Sequence, residues 1–564
     1  MPSLTKKTIK GKPYYYLREC RRVQGAPKIV WTLYLGSPQK LFERLTRPDP
    51  ERIDLHEFGA SAAAFDVASA LDLVATIDRH VPKAGSQGPS VGQYLLIAAL
   101  NRCVAPRSKA RIAEWYAKTV LRRLVPMSAA QLTSQRFWDN MDRVGEQEIV
   151  AIERELAKTA VDRFGLSLRC LLFDATNFYT FIDSFNHRPT LPQRGHSKEG
   201  RANLRIVGLA LLVTSDGDVP LLHQAYAGNQ ADAVTFRSVI HEIADRCRML
   251  GEGACDITLV FDKGNNAEDN LASAAQGPWH FVGSLVPTQH ARLLAVRRAK
   301  MRRLDPEKLP SVWAFRTRRV VFGVKRVVLC TYNHPLFVAQ RKTLRREIDK
   351  RRRRLACLQA SLERARLRPR GRAPTLEGTR KKVEAILAGR HMKDLFRATI
   401  SADRAGHVRL AFHFRLTTWR KLSRTLLGKT ILFTDREDWS DEEIVLAYRA
   451  QSHVEACFRR MKDPRCLTFR PAYHWTDQKL RVHAFYCVLA LLILSLLRRT
   501  LHGKGIHTSI ARMIEKLSEI REAAILYGPP TGSTAPFVRT TLSAMDTEQR
   551  ALFDALDLGR HTAR

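Results

Sequence analysis

Short apolar runs and amphipathic stretches alternate along most of this 564-residue chain. Residues 14–20 and 28–35 alternate or run apolar around a turn at 23–27 and stop at Gly36, which predicts a β-hairpin. From about 61 to 158 the apolar spacing is helical, clearest over 91–100 and 112–124. That segment carries Arg102, Arg107, Lys109, Arg111, Lys118, Arg122 and Arg123, which read either as a DNA-binding face or as a solvated one. Residues 168–173 (LRCLLF) form an apolar run ending in Asp174, and a loop rich in Pro, Gly, Ser and His fills 183–201. Residues 206–213 (IVGLALLV) predict a buried strand that turns at Asp216-Gly217. GNQAD at 228–232 leads into a helix over 233–249, and 257–261 (ITLVF) is a third strand, ending in Asp262. Strands followed by helices imply an α/β sheet.

The pattern changes after Asp262. Residues 312–331 and 408–416 alternate like antiparallel strands, and between them lies the most basic part of the chain, 341–397. Leu344, Ile348, Leu355, Leu358 and Leu362 keep a heptad spacing, with Arg351 intruding at one core position. Pro369 and Pro374 bracket a break, and 376–396 resumes helical character, so a helical hairpin on a β insertion is predicted. It serves either as a DNA or dimer contact or as a charged spacer. At 429–434 (KTILFT) a strand returns and the α/β core resumes.

One helix is predicted over 441–462 (DEEIVLAYRAQSHVEACFRRMK). Tyr448, Gln451, Glu455 and Lys462 share a narrow stripe, while Leu446, Ala450, Val454, Cys457 and Met461 form an apolar one. A carboxylate flanked by a phenol, an amide and an amine suits a divalent metal beside phosphate oxygens. The same pattern fits an ordinary charged surface helix. Asp174, Asp262 and Glu455 are expected to converge at a sheet edge, where three carboxylates repel unless cations neutralise them. Two Mg²⁺ ions would do so and suit in-line displacement at a phosphodiester. Asp183 and Asp269 lie near the chosen aspartates but end no apolar strand. His187, His196 and His223 read as exposed loop residues, Trp475 as packing rather than base stacking, and Gly264 as a weak phosphate-loop hint.

Charge decides the partner class. Lys and Arg number 94 against 55 Asp and Glu, a net +39, which favours a polyanion and above all nucleic acid. Ten cysteines without a C-x-x-C pair argue against a zinc or disulfide framework and fit a reducing cytoplasm. The N-terminus has no signal-peptide character, and the apolar run 485–497 reads as a buried helix, so no membrane partner is expected. No Walker motif is present, so no nucleotide cofactor is expected.

FDATNFYTF around Asp174, GNQAD at 228–232, LVFDKG around Asp262 and YRAQSHVEACFRRMK at 448–462 occur in that order. Together they resemble the successive motifs of bacterial insertion-sequence DDE transposases with the Y-R-E-K signature. LYLG at the end of the N-terminal hairpin and AYHWTDQKLRVHAF at 472–485 are similar to members with long β insertions. The resemblance implies an α/β fold with a ribonuclease-H-like core (164–264 and 426–500) interrupted by a large β plus helical-hairpin insertion (265–425). An N-terminal β-hairpin region (1–50) and a helical, DNA-binding region (51–163) precede it, and a helical tail (501–564) follows. It implies Mg-dependent cleavage at the ends of an insertion sequence and transfer of the 3′-hydroxyls into target DNA, by a homodimer on double-stranded DNA at the nucleoid. In that scheme Asp174 bridges two Mg²⁺ ions (Mn²⁺ being a substitute), Asp262 binds one and Glu455 the other. Tyr448 and Lys462 contact phosphates, and Gln451 puts an uncharged amide where the signature has arginine. The rivals are a ribonuclease-H-like nuclease and a domesticated, catalytically weakened DNA-binding protein.

Overall fold

The computed structural model describes residues 2–23, 26–45, 50–83, 85, 87–183, 185–200, 203–249, 256–262, 279–367, 373–470, 472–527 and 537–563. The chain forms two compact units, Met1–Ile152 with Arg460–Arg564, and Glu153–Arg459.

The second unit is built on one mixed sheet of nine strands. In chain order these are β1 (Cys170–Tyr179), β2 (Ile206–Thr214), β3 (Pro220–Ala227), β4 (Thr258–Phe261), β5 (His280–Leu285), β6 (Arg302–Arg303), β7 (Val312–Val321), β8 (Val324–Asn333) and β9 (Lys429–Thr434). Across the sheet they run β6-β7-β8-β9-β5-β4-β1-β2-β3. β1 and β4 are parallel, as are β4 and β5, and every other neighbouring pair is antiparallel. The predicted strand at 168–173 runs on well past Asp174. Residues 175–179 (ATNFY) keep β-favouring side chains in alternation, and β2 pairs with β1 as far as Tyr179 opposite Ile206.

The 312–331 alternation gives β7 and β8, and both join the main sheet rather than a separate one. The insertion proper lies between β8 and β9 and has its own core. Its long helix, His334–Arg366, buries Ile348, Leu355 and Leu362 against Val383, Leu395, Phe396 and Leu410. The second hairpin helix is Leu376–Ile386, and the strands Phe396–Ala402 and Val408–Phe414 complete the layer. Arg351, the intruder in the heptad, pairs with Glu347 and donates to the Ala388 carbonyl at 3.2 Å. Its terminal nitrogens are thereby engaged within the insertion, while Nε is buried without a hydrogen-bond partner among the described residues.

The first unit opens with three antiparallel strands, Pro2–Ile9, Lys12–Val23 and Ala26–Gly36, one more than the predicted hairpin. The extra strand folds back over Lys10-Gly11, whose φ values of 47° and 75° suit a two-residue hairpin turn. The 485–497 run lies inside a 27-residue helix, Asp477–Gly503, which packs on Val91–Val104 and Gly59–Ala70. By length and composition that helix could cross a membrane, but 94% of its most apolar stretch is buried within the protein. The tail over 501–564, expected to be helical, has the helix Ile510–Ser518 followed by the strand Arg521–Tyr527. That strand pairs with Pro50–Glu57 on one side and Phe537–Leu542 on the other.

Two of the seven basic residues read as a DNA-binding or solvated face are internal. Arg102 donates to the carbonyls of Thr468 (3.2 Å) and Arg470 (3.1 Å), and Lys109 Nζ donates to the Tyr486 hydroxyl at 2.6 Å. His483 Nε2 lies 2.6 Å from the Phe469 carbonyl, so it carries the proton, and Nδ1 accepts from Tyr486. The chain of donors is complete with a neutral imidazole, and burial pushes the His483 pKa well down, in keeping with that. Trp475, read as a packing residue, is 60% exposed.

Candidate active site

Parallel pairing sets the floor of the site. Phe173 of β1 stands opposite Phe261 of β4, so Asp174 and Asp262 come next, side by side on the opposite face of the sheet. β4 pairs with β5 through Val260 and Val282, and the same row continues to Ser284. Ser284 Oγ donates to Asp262 Oδ1 at 3.1 Å.

The other face explains why this row is rigid. Phe236 of the helix Asp232–Met249 packs its ring 5.0 Å from that of Phe173 and 5.2 Å from that of Phe261. Gly283 follows in that row, and a Cβ there would sit 2.6 Å from the Phe433 ring and 3.1 Å from Phe261. Aromatic packing needs the hollow that glycine leaves.

The predicted helix over 441–462 is two helices, Asp441–Arg449 and Gln451–Lys462, joined at Ala450. Ala450 N–H is shared between the carbonyls of Leu446 (3.0 Å) and Ala447 (3.2 Å), and His453 N–H bonds to Ala450 O, three residues back, at 2.8 Å. This tight turn changes the buried face. The first helix buries Ile444 and Val445 and leaves Leu446 39% exposed, contrary to the expected stripe. The second buries Val454, Cys457 and Met461 as expected, worth roughly 1.5–3 kcal/mol for a large apolar side chain such as Met461.

The first helix begins with a capping box, in which Ser440 Oγ accepts from Glu443 N–H and Glu443 accepts from Ser440 N–H. Arg302 and Arg316 reach its first turn through Asp441, fixing it to β6 and β7. Tyr448, two residues before the join, places its hydroxyl 3.3 Å from Asp262 Oδ1 and 3.0 Å from Ser284 Oγ, its one proton shared between them. Both hydroxyls thus converge on one carboxylate oxygen. Burial and the negative Asp262 push the Tyr448 pKa up to about 12, so its hydroxyl stays a donor at neutral pH.

Gln451 opens the second helix, with its amide nitrogen buried and without a hydrogen-bond partner among the described residues. Glu455 lies one turn further on an exposed face, near enough to act on Tyr448 electrostatically. Its helix is held by the β2–β3 turn. His453 Nδ1 bonds the carboxylate of Asp218, which is 1% exposed with φ of 59°, and Cys457 Sγ donates to the Asp218 carbonyl at 3.6 Å. Lys462 ends that helix and belongs to the first unit, where Arg470 donates to its carbonyl at 2.7 Å.

The structure therefore sets Asp174 and Asp262 on neighbouring strands and Tyr448 against Asp262, with Glu455 close enough to Tyr448 to act on it electrostatically. Among the described residues no group of three or more His, Cys, Asp or Glu side chains is gathered closely enough to hold a metal ion. Asp269 and Gly264 lie outside the described residues. His223 is not an exposed loop residue. It is buried on β3, where Nδ1 bonds Glu153, which also accepts from Arg246. Ser284, Asp218 and His453 were missed at sequence level. Ser284 carried no signal, because its role depends on β-register alone.

A cavity of about 510 Å³ opens beside Ser284 and Tyr448, with Gln340, Thr343, Arg351 and Arg390 of the insertion forming part of its wall. Two carboxylates thus stand on neighbouring strands, one of them contacted by two hydroxyls that also border the cavity.

The sequence matches no protein family and no curated protein. Among solved structures it is similar to a piggyBac transposase synaptic complex with hairpin DNA, at 8% identity over 81% of this chain and 79% of that one, with a TM-score of 0.37.

Proposed function

We propose that this chain is a DDE-type DNA transposase of the Y-R-E-K kind, cleaving the ends of an insertion sequence and joining their 3′-hydroxyls to target DNA. The observation that carries the reading is the register of β1 and β4, in which Asp174 and Asp262 occupy neighbouring places on parallel strands. The strand order β3-β2-β1-β4-β5, with β1, β4 and β5 parallel, supports a ribonuclease-H-like core. The net charge of +39 supports DNA as partner.

Asp174 and Asp262 offer the hard oxygen donors that Mg²⁺ or Mn²⁺ prefers, and Glu455 is the third candidate ligand. Bound Mg²⁺ would supply Lewis-acid activation of the attacking oxygen and stabilise the leaving one. The protein's own contribution is positional. Tyr448 and Ser284 fix the Asp262 carboxylate, and Asp218 and His453 hold the helix bearing Glu455. The Gln451 amide nitrogen, buried and without a partner among the described residues, could serve a phosphate oxygen only after its side chain turns outward. Lys462, a homodimer on DNA and a cytoplasmic, nucleoid-associated location complete the proposal.

The test is cleavage and joining of DNA bearing the element's ends, with Mg²⁺, by the native protein and by Glu455→Gln and Asp262→Asn. The ends come from sequencing the DNA that flanks the gene. Joined products that vanish in both variants are expected. Cleavage without joining would leave a nuclease. DNA binding with no chemistry in the native protein would leave a repurposed binding protein.

A further inference from the structure

The first unit contains a second cavity, of about 470 Å³. Arg107, Arg111 and Arg521 line it, and Trp115 supplies the aromatic part of the wall. All three arginines are exposed, and among the described residues none is engaged in an ion pair. The two carboxylates in the wall are already committed. Glu114 pairs with Lys118 at 3.2 Å. Glu57 accepts from the N–H groups of Ala60 (2.8 Å) and Ser61 (3.3 Å) and from the Ser61 hydroxyl.

The backbone that carries the arginines is also held in place. Asn101, fully buried, donates to the Ala105 carbonyl at 2.9 Å and accepts from Arg107 N–H at 3.0 Å. Lys109, between the two arginines, is anchored internally on Tyr486. Arg521 begins a strand paired with Glu57. Three guanidiniums on two separated chain segments outnumber the two carboxylates beside them and present more donors than one small anion can use. They match an extended polyanion whose successive phosphates meet successive forks.

We infer that this pocket is a docking site for the phosphodiester backbone of DNA, with Trp115 flanking the bound strand. The site is independent of the proposed chemistry and needs no metal.

The experiment uses the full chain, a labelled random-sequence duplex and fluorescence anisotropy over a salt series without Mg²⁺. In the triple variant Arg107→Ala, Arg111→Ala and Arg521→Ala, affinity at low salt should fall at least about tenfold. The slope of log affinity against log salt should shrink by about 2–3, one phosphate contact being worth about 0.9. The triple lysine variant should recover the slope, since charge is retained. An unchanged thermal melt shows that the fold survives. Unaltered slope and affinity in the alanine variant would overturn the inference. So would loss of inorganic phosphate or mononucleotide binding with duplex binding intact, which would mark a small-anion site. Failure of DNA cleavage would bear only on the catalytic reading.

Discussion

His453 bonds the buried carboxylate of Asp218 two residues before Glu455 on the same helix. Asp218 cannot be replaced freely, because it sits at positive φ, a region that asparagine tolerates well. Asp218→Asn therefore removes the charge with little backbone strain. It should lower strand chemistry by roughly 10–100-fold and cost about 1–3 kcal/mol of stability, while DNA affinity without Mg²⁺ stays the same. Undiminished turnover, measured on a melted-and-checked protein, would show that Glu455 needs no such anchor.

Asp174 and Asp262 place two carboxylates on adjacent parallel strands. Replacing either by Asn should raise the melting temperature in metal-free buffer by a few degrees, about 1 kcal/mol of relieved repulsion. The same variants should lose the upward shift that Mg²⁺ gives the native protein by mass action. Calorimetry with and without Mg²⁺ checks both halves. A native protein indifferent to Mg²⁺ would count against the metal assignment.

Tyr448→Phe keeps the ring and removes the donor to Asp262. Turnover should fall by roughly 10–100-fold, with DNA affinity little changed. Since the Tyr448 pKa is pushed up to about 12, the native rate should show no ionisation step from this residue between pH 7 and roughly 10. A variant whose DNA affinity drops while its rate at saturating DNA stays intact would reassign Tyr448 to substrate contact.

Gly283→Ala tests the aromatic layer beneath the site. The added methyl meets Phe433 at 2.6 Å, and overpacking of this kind costs about 1–3 kcal/mol. Denaturant unfolding should show a lower midpoint with the slope unchanged.

Glu57 gives a pH signature in the first unit. Burial pushes its carboxyl up to about 7, so between pH 4.5 and 7 the folded protein holds a proton that the unfolded chain has released. Its contribution to stability is fully present below about pH 4.5 and declines as pH rises through 7. Glu57→Gln should flatten this slope and leave the variant about 1–3 kcal/mol more stable than native at pH 8, relative to the pair at pH 5.

Much of this arrangement was legible in the chain. The apolar runs gave the inner strands, because buried strands need continuous hydrophobic side chains. Asp174 and Asp262 stood out as carboxylates next to such runs. What sequence could not supply was pairing. Nothing local to Ser284 says that it adjoins Asp262, and nothing in REAAILY says that a strand from Pro50 to Glu57 awaits it. Arg102 and Lys109 misled for a related reason. A cation can be internal when carbonyls and a phenol complete its hydrogen bonds, and those partners lie more than 360 residues away. The broken helix at Ala450 turned on a single shared hydrogen bond, which leaves no mark in composition.

The long insertion departs from the sheet and returns to it at adjacent positions. Tyr332 faces Lys429 in antiparallel register, and Asn333 N–H bonds the Gly428 carbonyl at 2.8 Å. In topological terms it is a hairpin loop grown to subdomain size, carrying its own apolar core. Lineages can therefore enlarge, exchange or delete it as a cassette without re-threading the strands that carry the aspartates. Grafting a short turn across 332–429 would be the laboratory equivalent.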